Sequence, residues 1–337
     1  MPKWARALRP RTWRLHRIAA TPVIAVALVV LSSATCAAPG DAAQSGHPVS
    51  APYVDVTGTH PDLVGAAAAT GVTELRLAFA LATDGECRPS WGGVRPLTDP
   101  ALVAQTDELH RRGVTLAVAS GGADGPYLER ACASAAELAA AYATALDSVG
   151  AQRLDVDVGL DVDADRVIDA LALLQASRDV AITLTLRVLN QHAGLEPEAV
   201  ELVQAAADAG LEPTVNAMVM NFPPVNGWAE AMVEAAEATT RQLAVAYPQW
   251  SEAQRYAHLE LTVMIGRNDL GMVTTIDDAG TVLAYARDRR ITRIGHWSLG
   301  RDNGGCPGRV AVSPDCSGVA QDPFEFTKLI TARGGYR

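Results

Sequence analysis

The residues best able to do chemistry crowd into one stretch, 153–163, which reads RLDVDVGLDVD. Leu154, Val156 and Val158 alternate, so in a strand they share one face while Asp155, Asp157 and Gly159 share the other. Two carboxylates on one face of a buried strand are costly to desolvate unless a polar site lies in front of them. That cost makes this strand the candidate site. Asp161, Asp163 and Asp165 fit the cap and first turn of a helix beginning at Ala164. A calcium loop is a poorer reading, because the alternation suits a strand and the loop's terminal Glu is missing. The seven histidines are scattered, Ser298 lacks the G-x-S-x-G setting of a serine hydrolase, and His296 is expected to point away from the interior. Met218 and Met220 read as core.

To hold Asp155 and Asp157 at a working surface, the chain must build a sheet around them. From Tyr53 onward, short β-rich runs alternate with Ala-rich amphipathic segments. Strand candidates are 53–56, 74–81, 115–119, 153–158, 180–188, 214–220, 259–265 and 293–297. Helix candidates are 61–70, 99–112, 134–149, 164–176, 196–209, 227–246, 276–289 and 322–332. Asp99-Pro100 and Ser134 are start signals, and Gly71, Gly113, Gly150 and Gly210 stand where helices should stop. Each helix is long enough to return the chain for a parallel strand. Eight such units predict an α/β fold, a (β/α)8 TIM barrel, with an open doubly wound sheet as the alternative. Chemistry in a barrel gathers at the C-terminal ends of strands. There the sequence puts residues 88–93 with Trp91, Ser120-Gly121-Gly122, the aspartates, Met220-Asn221-Phe222, the turn 266–269 and Trp297.

The chain has 337 residues, 49% hydrophobic and 20% charged, enough for one large core. Residues 1–38 stand apart. Lys3, Arg6, Arg9, Arg11, Arg14 and Arg17 precede an apolar run, 18–34, and small residues follow, so the segment reads as an export signal. The rival is a retained membrane anchor, since a run of about 17 residues only marginally spans a bilayer. Residues 39–50 read as a linker and 51–337 as the barrel. Residues 1–39 carry six of the 28 Lys+Arg and none of the 38 Asp+Glu, so the remainder has 22 against 38, a net charge of −16. Such acidity argues against nucleic acid or anionic membranes as partners and suits a neutral ligand such as a sugar. Beyond Cys36 lie Cys87, Cys132, Cys306 and Cys316, an even number that suggests two disulfides, with three pairings open. Proximity favours Cys306 with Cys316, leaving Cys87 with Cys132. None has zinc-site spacing, so neither metal nor cofactor is expected.

Taken in order, these motifs make residues 51–333 resemble glycoside hydrolase family 18, the chitinases. Asp155 and Asp157 match the aspartates of the family's D-x-D-x-E strand, Ser120-Gly121-Gly122 resembles its S-x-G-G, residues 218–222 resemble its M-x-M-D-Y, and Trp297 its conserved tryptophan. The resemblance implies a retaining mechanism in which the sugar's own acetamido group attacks, the Glu protonates the leaving oxygen and the Asp two residues earlier orients the acetamide. Here Asp157 would orient and Asp155 support, but Gly159 occupies the acid position and has no proton to give. Asn221 stands for the family's Asp and Phe222 for its Tyr. Trp297 would form the floor beneath the sugar, widened by Trp91 and Trp228, while Asp269 or Asn268 would reach a sugar hydroxyl.

The resulting expectation is an exported, monomeric, chitinase-like protein, free or cell-surface attached. It binds chitin or another N-acetylglucosamine-containing glycan through Asp157, Asn221, Trp297, Trp91 and Asp269, with catalysis impaired or lost. One alternative is an active glycoside hydrolase with Asp161 as displaced acid. The other is a barrel that binds proteins through a vestigial cleft.

Overall fold

The computed structural model of the chain describes residues 47–57, 62–158, 162–223 and 225–332. The expected export signal lies outside the described residues, and so do Gly159, Leu160 and Asp161.

The strands are β1 (Val49–Ser50), β2 (Tyr53–Asp55), β3 (Glu74–Thr83), β4 (Glu86–Trp91), β5 (Thr115–Gly121), β6 (Arg153–Asp157) and β7 (Ala181–Asn190). They continue as β8 (Gly194–Leu195), β9 (Thr214–Met218), β10 (Leu259–Met264), β11 (Gly266–Arg267), β12 (Val273–Thr274) and β13 (Arg293–Trp297). The main sheet runs β1-β13-β10-β9-β7-β6-β5-β3-β2, and every pairing along that path is parallel. Its two ends, β1 and β2, are separated only by Ala51-Pro52, so the path closes on itself. Proline has no N–H to give a ladder. The Pro52 carbonyl still accepts from Arg76 N–H at 3.0 Å, and Ala51 N–H donates to the Ile294 carbonyl at 2.9 Å. The result is the eight-unit barrel, not the open sheet. The chain joins it at Val49, two residues inside the stretch assigned to a linker.

Helices lie between the strands at Leu63–Thr70, Pro100–Arg111, Ala135–Ser148, Ala164–Ser177, Pro197–Asp208, Trp228–Ala246, Ile276–Arg289 and Glu325–Thr331. Local chemistry sets their ends. The Asp99 carboxylate accepts from Ala101 and Leu102 N–H just before Pro100, and Ser134 and Asp163 cap their helices in the same way. Short elements that the sequence does not announce are helices Leu128–Ala131 and Glu252–Ala257 and the antiparallel return of β4 on β3.

The apolar core lies between the sheet's outer face and the helices, and takes in Leu154 and Val156. The barrel interior is polar. Arg76, 1% exposed, is ion-paired with Glu260 and lies 3.6 Å from Asp155. Arg293 bonds Glu74 at 3.0 Å and Glu260 at 3.3 Å. Burial works against charge on Glu260, but Arg76 and Arg293 together hold its carboxyl below the ordinary range.

Candidate functional site

Both aspartates of β6 face the interior, and their surroundings differ. Asp155 is 1% exposed. It accepts from the Tyr53 hydroxyl at 2.5 Å and the Thr185 hydroxyl at 2.5 Å. Asn216 donates to the same two hydroxyls at 3.1 and 2.9 Å and accepts from Thr262 at 2.9 Å. This satisfied network fixes Asp155 in a brace that joins five strands. Burial still raises its carboxyl, although Arg76 and the two donors pull the other way.

Asp157 is two residues nearer the strand's end and 9% exposed. Its side chain makes no hydrogen bond to any described residue and lines an open cleft. Burial first, then the charges of Asp155 and Glu129, push its carboxyl well above the ordinary range. Glu129 is fully buried, with one oxygen accepting from Ser120 and Tyr142 at 2.7 Å each.

Two glycines let the neighbouring chain come this close. Gly121 has φ +88°, and a Cβ there would stand 1.9 Å from the Asp157 carbonyl oxygen. Gly122, at φ +92°, would put its Cβ 2.8 Å from the Phe79 ring. Gly122 N–H also donates to the Asp157 carbonyl at 2.7 Å. Only glycine combines that backbone with that approach.

The cleft measures about 1130 Å³. Trp297 is half-buried in its lining, stacked with Phe79 at 5.5 Å and tilted on Tyr53 at 6.1 Å. On another side, Asn221 Nδ2 donates to Asp269 Oδ2 at 2.6 Å, and Asp269 N–H donates to Asn221 Oδ1 at 2.8 Å. The Asn221 amide is therefore committed to Asp269, which leaves the Asp269 carboxylate as the exposed polar group of that pair.

Asp157, Asn221, Asp269 and Trp297 thus share one cleft. Four other candidates are taken up by structure. Trp91 is fully buried in the apolar core, because β4 folds back on β3 and places it opposite Ala80. Phe222 is 1% exposed and packs 4.5 Å from Trp228, so it holds no supporting position in the cleft. Trp228 itself is buried and donates to Thr274 at 3.0 Å. Asn268 is also taken up by structure, donating to the Met264 and Gly266 carbonyls. His296 points outward from the barrel, as the sequence suggests, and is buried against Thr327 at 3.1 Å. The disulfides are Cys87–Cys132 and Cys306–Cys316. Among the described residues, no three His, Cys, Asp or Glu side chains are grouped to hold a metal, and no helix is long and apolar enough to cross a membrane.

Sequence reasoning missed Tyr53, Arg76, Phe79, Thr185 and Tyr127, which brace or line the cleft. Arg76 and Glu260 were detectable as single charges at alternate positions of apolar strands. Phe79 and Tyr127 carried no such mark.

A closed parallel barrel with paired aspartates at the end of one strand and an aromatic cluster at its mouth belongs to the class of (β/α)8 barrels whose sites lie at the C-terminal ends of their strands. No protein-family model matches the sequence, and no curated protein does. Among solved structures, active domain 2 of a thermostable chitinase from Pyrococcus furiosus, as catalytic-site mutants complexed with chito-oligosaccharides, is 32% identical. The match covers 85% of this chain and 95% of that one, with a TM-score of 0.78. The catalytic domain of the hyperthermophilic chitinase from the same organism is 31% identical over 86% and 97% of the two chains, at 0.79. A fungal endo-β-N-acetylglucosaminidase from glycosyl hydrolase family 18 shares the fold at 15% identity, covering 85% and 98%, with a TM-score of 0.58. The chain belongs to glycoside hydrolase family 18.

Proposed function

We propose that the protein is an exported lectin-like member of the family, which binds an N-acetylglucosamine-containing glycan and has lost hydrolysis. One observation carries this reading: among the described residues Asp157, nine-tenths buried, has no hydrogen-bond partner for its carboxyl and lines the same cleft as Trp297, yet no glutamate lines that cleft. An indole stacks on a pyranose whether or not an acid is present, so binding outlives catalysis. Loss of a positioned general acid costs about 10² to 10⁴ in rate. The residue at the acid position of the motif is Gly159. Two disulfides and the basic-then-apolar N-terminus support export.

The test is calorimetric titration with chito-oligosaccharides, alongside a product assay. Binding without product is expected, and Gly159→Glu should bring hydrolysis of the same oligosaccharides above the silent wild type. Changing Asn221 and Phe222 to the motif's residues as well is not expected to help. Phe222→Tyr would place a hydroxyl in the apolar core, and Asn221→Asp would set a second carboxylate against Asp269. Wild-type turnover at ordinary chitinase rates would overturn the proposal. Turnover abolished by Asp161→Asn would move the acid to the only carboxylate in the stretch 159–161.

A further inference from the structure

Asp157 and Asp269 differ in one respect from Arg301 and Arg187, which line their cleft together with Arg130. Arg301 is 1% exposed and spends its guanidinium on the Ser313, Ile265 and Arg267 carbonyls. Arg187 lies 3.4 Å from Glu196. The Asp157 carboxyl has no such partner, and Asp269 Oδ1 accepts no hydrogen bond from the described residues. A buried carboxyl with nothing to bond is a cost the fold keeps, and it is relieved by a ligand that brings a cation. The whole chain, at −10, favours a cation over an anion at long range.

We infer that the sugar held at Asp157 is a de-N-acetylated one, whose protonated 2-amino group pairs with the Asp157 carboxylate, within a partly N-acetylated glycan. The inference rests on the sugar-binding reading above and narrows its ligand class. An acetamide has one N–H and no charge, so it meets Asp157 with a single neutral bond. An ammonium brings three N–H donors and the charge needed to ionise the carboxyl.

The surroundings of Asp157 set the pH response. Asp155 on its own strand, Glu129 on the adjoining helix, Tyr53 and Tyr127 on the flanking chains, and Arg76 and Arg187 on β3 and β7 all act on it or are acted on by it. Burial, Asp155 and Glu129 prevail over the two arginines, so the free carboxyl holds its proton above the ordinary range. An ammonium binds the ionised form, so binding expels a proton. Affinity then climbs with pH towards the raised value in the free protein, for as long as the sugar's amine keeps its own proton.

The experiment is titration of the full chain with glucosamine hexamer and with N-acetylglucosamine hexamer, in buffers of different ionisation enthalpy. The glucosamine hexamer is expected to bind about tenfold or more tightly, which corresponds to one charge-assisted bond. Its affinity should rise with pH, with proton release to buffer, and the isosteric Asp157→Asn variant should lose both preference and release. Equal or tighter binding of the N-acetylated hexamer overturns this inference while upholding the proposed function. A preference that survives Asp157→Asn overturns it too, as general attraction to an acidic surface. Failure of both hexamers to bind a folded wild type, judged by its melting transition, removes the underlying sugar-binding reading itself.

Discussion

At the scale of single residues, the barrel separates carboxyls that carry structure from those left for a ligand. Asp155 has both carboxyl oxygens engaged, whereas the Asp157 carboxyl, on the same strand, accepts no hydrogen bond from the described residues. His296 is the structural residue with the most direct pH consequence. It is fully buried beside Asp302 at 3.8 Å, and burial lowers it to about 4 from 6.5. Between those values the unfolded chain takes up a proton that the folded one refuses, so acidification from pH 6.5 to 4 should remove on the order of 3 kcal/mol of stability. Denaturant melts of wild type and His296→Gln across this window should show a slope in the first that is shallower in the second. The aspartates were legible because strict alternation forces both onto one face. Phe222 was not, because β9 stops at Met218 and the chain curls. Val219 and Met220 N–H donate to the Ala217 and Met218 carbonyls, and Asn221 adopts φ 53°. The motif likeness that placed Phe222 in the site carries no information about that curl.

At the scale of elements, the sequence exposed all eight strands and the eight helices between them. Each apolar face must meet the core, and several ends carry a capping side chain or a glycine. What it did not expose were pieces held by tertiary contact alone, chiefly the β4 return that takes Trp91 into the core. The pairing of β5 with β6 is the element contact on which the site depends. Gly121→Ala would place a methyl 1.9 Å from the Asp157 carbonyl oxygen at a φ of +88°. We expect it to lower stability by about 2 kcal/mol or more and to weaken ligand binding further by displacing Asp157. The midpoint of chemical denaturation and an oligosaccharide titration together check both effects.

At the scale of the whole molecule, the interior of the barrel is a charge network where an oily core might have stood. Arg76, Glu260, Arg293 and Glu74 span the sheet from strand to strand. Removing one member leaves its partner charged and dry, so Arg76→Ala should cost about 3–5 kcal/mol. The paired change of Arg76→Met with Glu260→Leu should recover much of that loss, since apolar replacement of both ions is often neutral or better. Thermal unfolding of the three proteins distinguishes this coupling from simple loss of packing. The closing strand has a consequence of its own. All the barrel strands run the same way, so Val49 lies at the foot of the molecule and the cleft at its head. The chain therefore enters the barrel at its base, as far from the open cleft as the strands are long.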